Sequence, residues 1–151
     1  MDISVVGAGH VGLVTGACFA DLGHAVVMVD NDATRIAKLK RGIMPYYEPG
    51  LEELVGRGIR EKRLAFTTSL QEGVSKSTVV FIAVGTPQKA TGEADLAYVE
   101  SVARAIAGCL TGYRLIVEKS TVPVQTGKWI AHTIKTYLKK KPFEEVTPFP
   151  P

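Results

Sequence analysis

Short apolar runs alternate along this chain with stretches in which apolar residues recur every three or four positions. Residues 3–6 (ISVV) and 25–29 (AVVMV) are the first two runs. Brief, β-branched runs of this kind predict strands covered on both faces. Residues 64–67, 78–84 and 113–117 repeat the pattern, and 143–146 suggest a sixth strand. The stretches between them predict helices. The first follows a glycine turn, and Val11, Val14, Thr15, Cys18 and Leu22 form the stripe expected to face the core. Asn31 or Asp32 caps a second helix through about Lys40, with Ile36 and Leu39 inward and Gly42 at its end. Residues 51–55 predict a short helix with Glu52 and Glu53 near its start, and Ser69 caps another. Asp95 caps one through about Leu110, carrying Leu96, Val99, Val102, Ala103 and Ile106 at helical spacing. Residues 125–138 form the last. Such alternation predicts an α/β domain, a doubly wound parallel sheet with right-handed crossovers, most simply in strand order 3-2-1-4-5-6.

Residues 7–12 read GAGHVG and join the first strand to the first helix. In that setting G-x-G-x-x-G predicts the Rossmann-type dinucleotide turn. Gly7 permits the tight bend, Gly9 lets a pyrophosphate approach the backbone, and Gly12 lets the helix lie against the strands. The helix start offers free N–H groups and a favourable dipole. Asp30, at the end of the second strand, can accept hydrogen bonds from a ribose. Its charge would repel a 2′-phosphate, which favours NAD over NADP, although Arg35 could soften that repulsion. A βαβ unit that binds nothing is the competing reading. Against it, each interior glycine would weaken the fold by about 0.5–1 kcal/mol for no purpose. Ligands of such sheets lie at the carboxyl ends of the strands. Two further loops belong there, VGTPQKATGEADL at 84–96 and EKSTVPVQTG at 118–127. Thr86 and Thr121 stand just before prolines in them, either to meet a ligand or to satisfy their own turns.

Composition narrows the classes. The 151 residues are 46% hydrophobic and 22% charged, as in one globular domain, and the net charge of +3 is too small to imply nucleic acid. Lys135 and Lys139–Lys141 read as a solvated, dipole-complementing helix end. No apolar run approaches the ~18 residues of a membrane span, and the N-terminus lacks the basic start of a signal peptide. Two distant cysteines make neither a disulfide framework nor a metal site. Cys109, like Cys18, reads as core packing. A cytoplasmic location is the default expectation.

The motifs GAGHVG, VD at 29–30, YEPGLEEL at 47–54, FIAVGTP at 81–87, ADLAYV at 94–99 and EKSTVPV at 118–124 occur in one order. In this the chain resembles the UDP-glucose/GDP-mannose dehydrogenase family, from residue 1 to about 146, with 147–151 as a tail outside it. The resemblance implies an NAD cofactor and a nucleotide-sugar substrate. UDP-glucose is foremost; relatives acting on GDP-mannose or N-acetylated UDP-sugars share the scaffold. Members oxidise the sugar's primary alcohol to a carboxylate, using NAD twice and a cysteine in the other half of the enzyme. Carried over by position, Gly7, Gly9 and Gly12 hold the pyrophosphate, with His10 and Val11 inside the turn. Asp30 and Arg35 serve the adenosine end. Gly85, Thr86, Ser120 and Thr121 lie along the cofactor, and Glu118 to Ser120 flank the nicotinamide side. Thr121 is the catalytic candidate, helping to hold the reacting oxygen or water. Many members carry tyrosine at His10, so no catalytic role is expected there. Glu48 lies in a loop that covers the cofactor or meets another subunit.

Two departures stand out. Gln125 replaces a usual glycine. After FEEV at 143–146 the family runs into an Asn-Pro-Glu segment with a catalytic glutamate, whereas this chain reads TPFPP. The central helix, the second nucleotide-binding domain and the family's nucleophilic cysteine have no counterpart in these residues. The expectation is therefore a fragment or truncated product, inactive alone and prone to form homo-oligomers. A stand-alone nucleotide-binding or interaction module without redox activity is the alternative from another class.

Overall fold

A computed structural model describes residues 1–138. Strands β1 (Asp2–Val6), β2 (Ala25–Val29), β3 (Leu64–Thr67), β4 (Val79–Ile82) and β5 (Leu115–Glu118) form one sheet in the order β3-β2-β1-β4-β5. Every pairing is parallel, with Ser4 opposite both Val27 and Val80. The expected sixth strand at 143–146 and Lys139–Lys141 lie outside the described residues.

Helices α1 (His10–Asp21), α2 (Ala33–Lys40), α3 (Leu51–Arg60), α4 (Leu70–Lys76), α5 (Ala97–Cys109) and α6 (Thr126–Leu138) form the connections or follow the last strand. Alternation along β1 explains the two cores. Ile3 and Val5 meet Leu13, Ile36, Leu51 and Val55 from α1, α2 and α3. Val6 shares the other core with Val74, Val99, Ile106 and Ile130 from α4, α5 and α6. Capping follows the side chains. Asp32 accepts the Arg35 N–H at 2.9 Å, and Ser69 accepts the Glu72 N–H at 3.2 Å.

The inward face of α1 is largely not the one expected, although Val14 of the expected stripe packs partly against the first core. Gly12, Leu13, Gly16, Ala17 and Ala20 are buried, while Cys18 is exposed and Val11 and Leu22 are 46% and 73% exposed. Periodicity alone selects the bulky residues, but this helix lies close on the sheet and turns mostly small residues inward, with Leu13 the large side chain among them. Any β-carbon at Gly16 would run into the Met28 thioether. Cys109, by contrast, is partly buried against the second core, as expected.

Other boundaries shift. Helix α3 extends to Arg60 rather than stopping at Val55, because Gly58 lies against Leu64 and Ala20 and Arg57 pairs with Asp21 of α1 at 2.8 Å. Asp95 does not serve as the N-cap of α5. That position falls to Leu96, and the Asp95 carboxylate accepts the Ala97 N–H at 3.0 Å. Strand β4 is shorter than 78–84, and β5 sits later than 113–117. Among the described residues no helix is long and apolar enough to cross a membrane.

Candidate dinucleotide site

The chain reverses between β1 and α1 at the middle of the sheet, where neighbouring connections depart to opposite sides. Gly7 has φ of 106° and donates its N–H to Val29 at 2.7 Å. That left-handed conformation suits glycine, and a β-carbon there would stand 2.7 Å from the Ala83 carbonyl carbon. One at Gly12 would stand 3.0 Å from the Gly7 carbonyl carbon, so the helix rests directly on the turn. Gly9 is different: nothing lies within 4 Å of its would-be β-carbon. It is also the N-cap of α1, without a side-chain hydrogen bond, and the first turn carries no acid. The leading N–H groups of α1, at His10, Val11 and Gly12, are therefore available to an anion beside a backbone stripped of side chain.

Asp30 directly follows β2 and is only 7% exposed. Its Oδ2 accepts the Ala8 N–H and Arg35 Nη1, both at 2.8 Å, and its Oδ1 accepts the Asp32 N–H at 2.9 Å. The carboxylate thus fastens the glycine turn to the start of α2. A carboxylate offers about four acceptor positions, so capacity remains for a further donor. Arg35 also lies 3.6 Å from Asp32.

The loop at 43–50 was read from sequence only as a cover or a contact. It straps the glycine turn from outside. The Tyr46 hydroxyl lies 3.2 Å from the Gly9 and His10 carbonyls and donates to them. Its ring stacks on His10 with centroids 4.5 Å apart, and His10 Nε2 lies 3.0 Å from the Glu48 carboxylate. Burial, reinforced by Glu48, pushes the Tyr46 hydroxyl up to about 12. Sequence reasoning missed Tyr46. The available signal was a tyrosine pair held between two prolines, opposite an aromatic-compatible position in the turn.

The other end of the carboxyl edge gathers Gly85, Thr86, Ser120 and Thr121. Thr86 donates its hydroxyl to the Thr121 carbonyl at 3.0 Å, joining the loops after β4 and β5. The Ile82 carbonyl accepts the Lys119 N–H at 2.8 Å and the Ser120 hydroxyl at 3.4 Å. Gly85 is exposed with open space around it, and Thr121 is exposed. Glu118 Oε1 accepts the Ser120 N–H at 2.6 Å, while Oε2 is enclosed and has no hydrogen-bond partner among the described residues. Burial raises the Glu118 carboxyl above its ordinary value, against the opposing bonds to Ser120 and Lys119. The strand order sets Asp30 at one end and Thr121 at the other, with the glycine turn between. Three strand spacings separate β2 from β5, about 14 Å at the usual ~4.8 Å per pair.

An open helix start at the switch point of a parallel sheet, beside a nearly buried acid on the adjoining strand, defines a dinucleotide-binding domain of the Rossmann type. The chain belongs, more particularly, to the UDP-glucose/GDP-mannose dehydrogenase family, whose NAD binding domain matches residues 1–147. It is 47% identical over 137 residues to the UDP-glucose 6-dehydrogenase TuaD of Bacillus subtilis, covering 91% of this chain and 30% of that protein. It is 52% identical over 136 residues to the UDP-glucose 6-dehydrogenase of Rhizobium meliloti, covering 89% and 31%. Among solved structures, GDP-mannose dehydrogenase of Pseudomonas aeruginosa, in a ternary complex, matches with a TM-score of 0.87 and 38% identity over 95% of this chain and 35% of that one. A UDP-glucose dehydrogenase of Pyrobaculum islandicum matches with a TM-score of 0.86 and 40% identity, covering 93% and 34%. The chain spans about a third of the length of these relatives.

Proposed function

We propose that this chain holds NAD along its carboxyl edge as the cofactor-binding part of a UDP-glucose 6-dehydrogenase, which oxidises the sugar's primary alcohol to the uronic acid. The observation that carries the proposal is the open backbone at Gly9 and the uncapped start of α1, beside Asp30. A methyl at Gly9 would occupy that space, so the cradle fits a pyrophosphate. Gly7, Gly9, His10, Val11 and Gly12 then hold the phosphates through backbone. Asp30 accepts from the adenosine ribose, with Arg35 orienting it. Gly85, Thr86 and Ser120 line the path to the nicotinamide, and Thr121 presents its hydroxyl to the reacting oxygen or water. Bound NAD supplies the hydride acceptor. UDP-glucose is the favoured substrate because relatives of that activity share 47% and 52% of aligned residues with this chain. The cofactor domain is assigned to residues 1–146. By itself it is inactive, since the sugar is oxidised with groups from the other half of the enzyme. A cytoplasmic setting and homo-oligomer formation belong to the same reading. The apolar α1 stripe of Val11, Cys18 and Leu22 is a surface suited to association.

Calorimetry with the purified chain tests it. NAD should bind at least tenfold more tightly than NADP, because like charges about 4 Å apart cost about 4 kcal/mol at an effective dielectric of 20, part of which Arg35 offsets. Mixed with UDP-glucose and NAD, the chain should yield no uronic acid. Equal affinity for any adenine nucleotide would instead favour a general nucleotide-binding module.

A further inference from the structure

Glu118 is a charged residue turned into the domain beside the candidate nicotinamide end, and the proposed chemistry does not use it. It pairs in register with Ile82 at the last step of β5. One carboxylate oxygen takes the Ser120 N–H at 2.6 Å; the other is enclosed and unpartnered among the described residues. An enclosed acceptor without a donor is costly, and apolar replacement of both partners is often easier to accommodate. The bonded oxygen therefore invites a specific explanation. Four bonds converge on this turn. Glu118 holds the Ser120 amide, Ile82 holds the Lys119 amide and the Ser120 hydroxyl, and Thr86 holds the Thr121 carbonyl. Only the first lies within the turn, and it fixes the residue immediately before Thr121.

We infer that Glu118 is a positioning residue: through the Ser120 amide it sets the backbone at 120–121 and thereby the pose of the nicotinamide half of the cofactor. This rests on the NAD reading above. Such a role needs an acceptor and not a charge. Glutamine keeps a carbonyl oxygen at the same reach, whereas leucine keeps bulk and loses the acceptor. The effect should also be local, since the glycine turn and Asp30 hold the other half of the cofactor through separate bonds.

The test compares NAD with ADP-ribose, which lacks the nicotinamide, by calorimetry on the full 151-residue chain. Glu118→Leu should weaken NAD about tenfold, the scale of one well-placed hydrogen bond, and change ADP-ribose by less than about twofold on the same reasoning. Glu118→Gln should restore the wild-type ratio of the two affinities. The Ser120 amide resonance should stay near its wild-type position in Glu118→Gln and move in Glu118→Leu. Should the leucine variant not fold, Glu118→Ala is judged by the same ratio and the same resonance. Equal weakening of both ligands, no change in either, or a glutamine variant as poor as the leucine one overturns the inference. A wild-type chain that binds neither ligand overturns the NAD reading and takes this inference with it.

Discussion

Gly9 and Gly12 are separated by one helical turn, yet alanine should harm them in opposite ways. At Gly12 the new β-carbon would stand 3.0 Å from the Gly7 carbonyl carbon and 3.3 Å from the Ala83 side chain. Neither neighbour can swing away, so α1 must lift from the sheet. Overpacking of this kind costs about 1–3 kcal/mol, and each kcal/mol lowers Tm by about 2–4 °C in a domain of this size. The expected loss is then about 2–12 °C. At Gly9, φ is −74° and nothing lies within 4 Å, so a methyl is accommodated without strain. Its cost to folding is that of a poorer N-cap, about 0.5–1 kcal/mol. The open space is the proposed seat of the pyrophosphate, however, and a methyl there should reduce NAD affinity by at least tenfold, or about 1.4 kcal/mol. Thermal melts and calorimetry on both variants separate stability from binding. Full NAD affinity in Gly9→Ala would mean that the phosphates do not rest on this backbone. An unchanged Tm in Gly12→Ala would mean that the close helix contact is not required.

Asp30→Ala strands the buried Ala8 N–H and frees Arg35, so it should cost stability as well as binding, by at least about 1–3 kcal/mol for the orphaned donor; a variant with normal Tm and weak NAD binding would contradict the anchoring role. Tyr46 is held protonated by the fold, from an ordinary 10.0 to about 12. Its contribution is complete below pH 10 and lost as pH rises through about 12, so wild type should lose stability across that interval that Tyr46→Phe does not lose. Absorbance at alkaline pH should show one late-titrating tyrosine that disappears in the variant, and identical titrations would refute the assignment. Thr121→Ala should move stability by no more than about 0.5 kcal/mol, as befits an exposed residue, and leave NAD binding nearly unchanged. In an enzyme reconstituted with the remaining part it should lower turnover by about 10²–10³-fold, the scale of a lost transition-state hydrogen bond. A large drop in Tm with full turnover would make Thr121 a structural residue.

The parallel sheet was legible because each strand is a short, nearly unbroken apolar run and each carries its own turn signal. Residues 25–29 and 64–67 became strands at the expected positions, and Asp32 and Ser69 became caps because short polar side chains have few other partners at a helix start. Where size mattered more than polarity, the pattern misled. Apart from Leu13, the inward side of α1 is lined by glycine and alanine, which carry little weight in a hydrophobic count. Helix α3 runs on past Val55 because Gly58 and Arg57 meet partners from β3 and α1 that lie far away in sequence. The glycine turn and Asp30 could be singled out from local spacing. The Tyr46 strap could not, since it depends on two distant segments meeting at the sheet edge, and the Glu118 clamp could not, since the spacing of two residues does not show that the carboxylate turns inward.

Asp30 links recognition to architecture through the bonds to Ala8, Asp32 and Arg35. Altering the cofactor preference of a domain like this usually begins by replacing the acid at that position, which removes the repulsion of a 2′-phosphate. Here the same replacement unties the glycine turn, the proposed cradle of the pyrophosphate. Each step towards NADP would pass through a protein less able to hold any dinucleotide. The change then calls for a second substitution that gives the Ala8 amide another acceptor. Cofactor choice in this chain is thus guarded by folding as much as by charge.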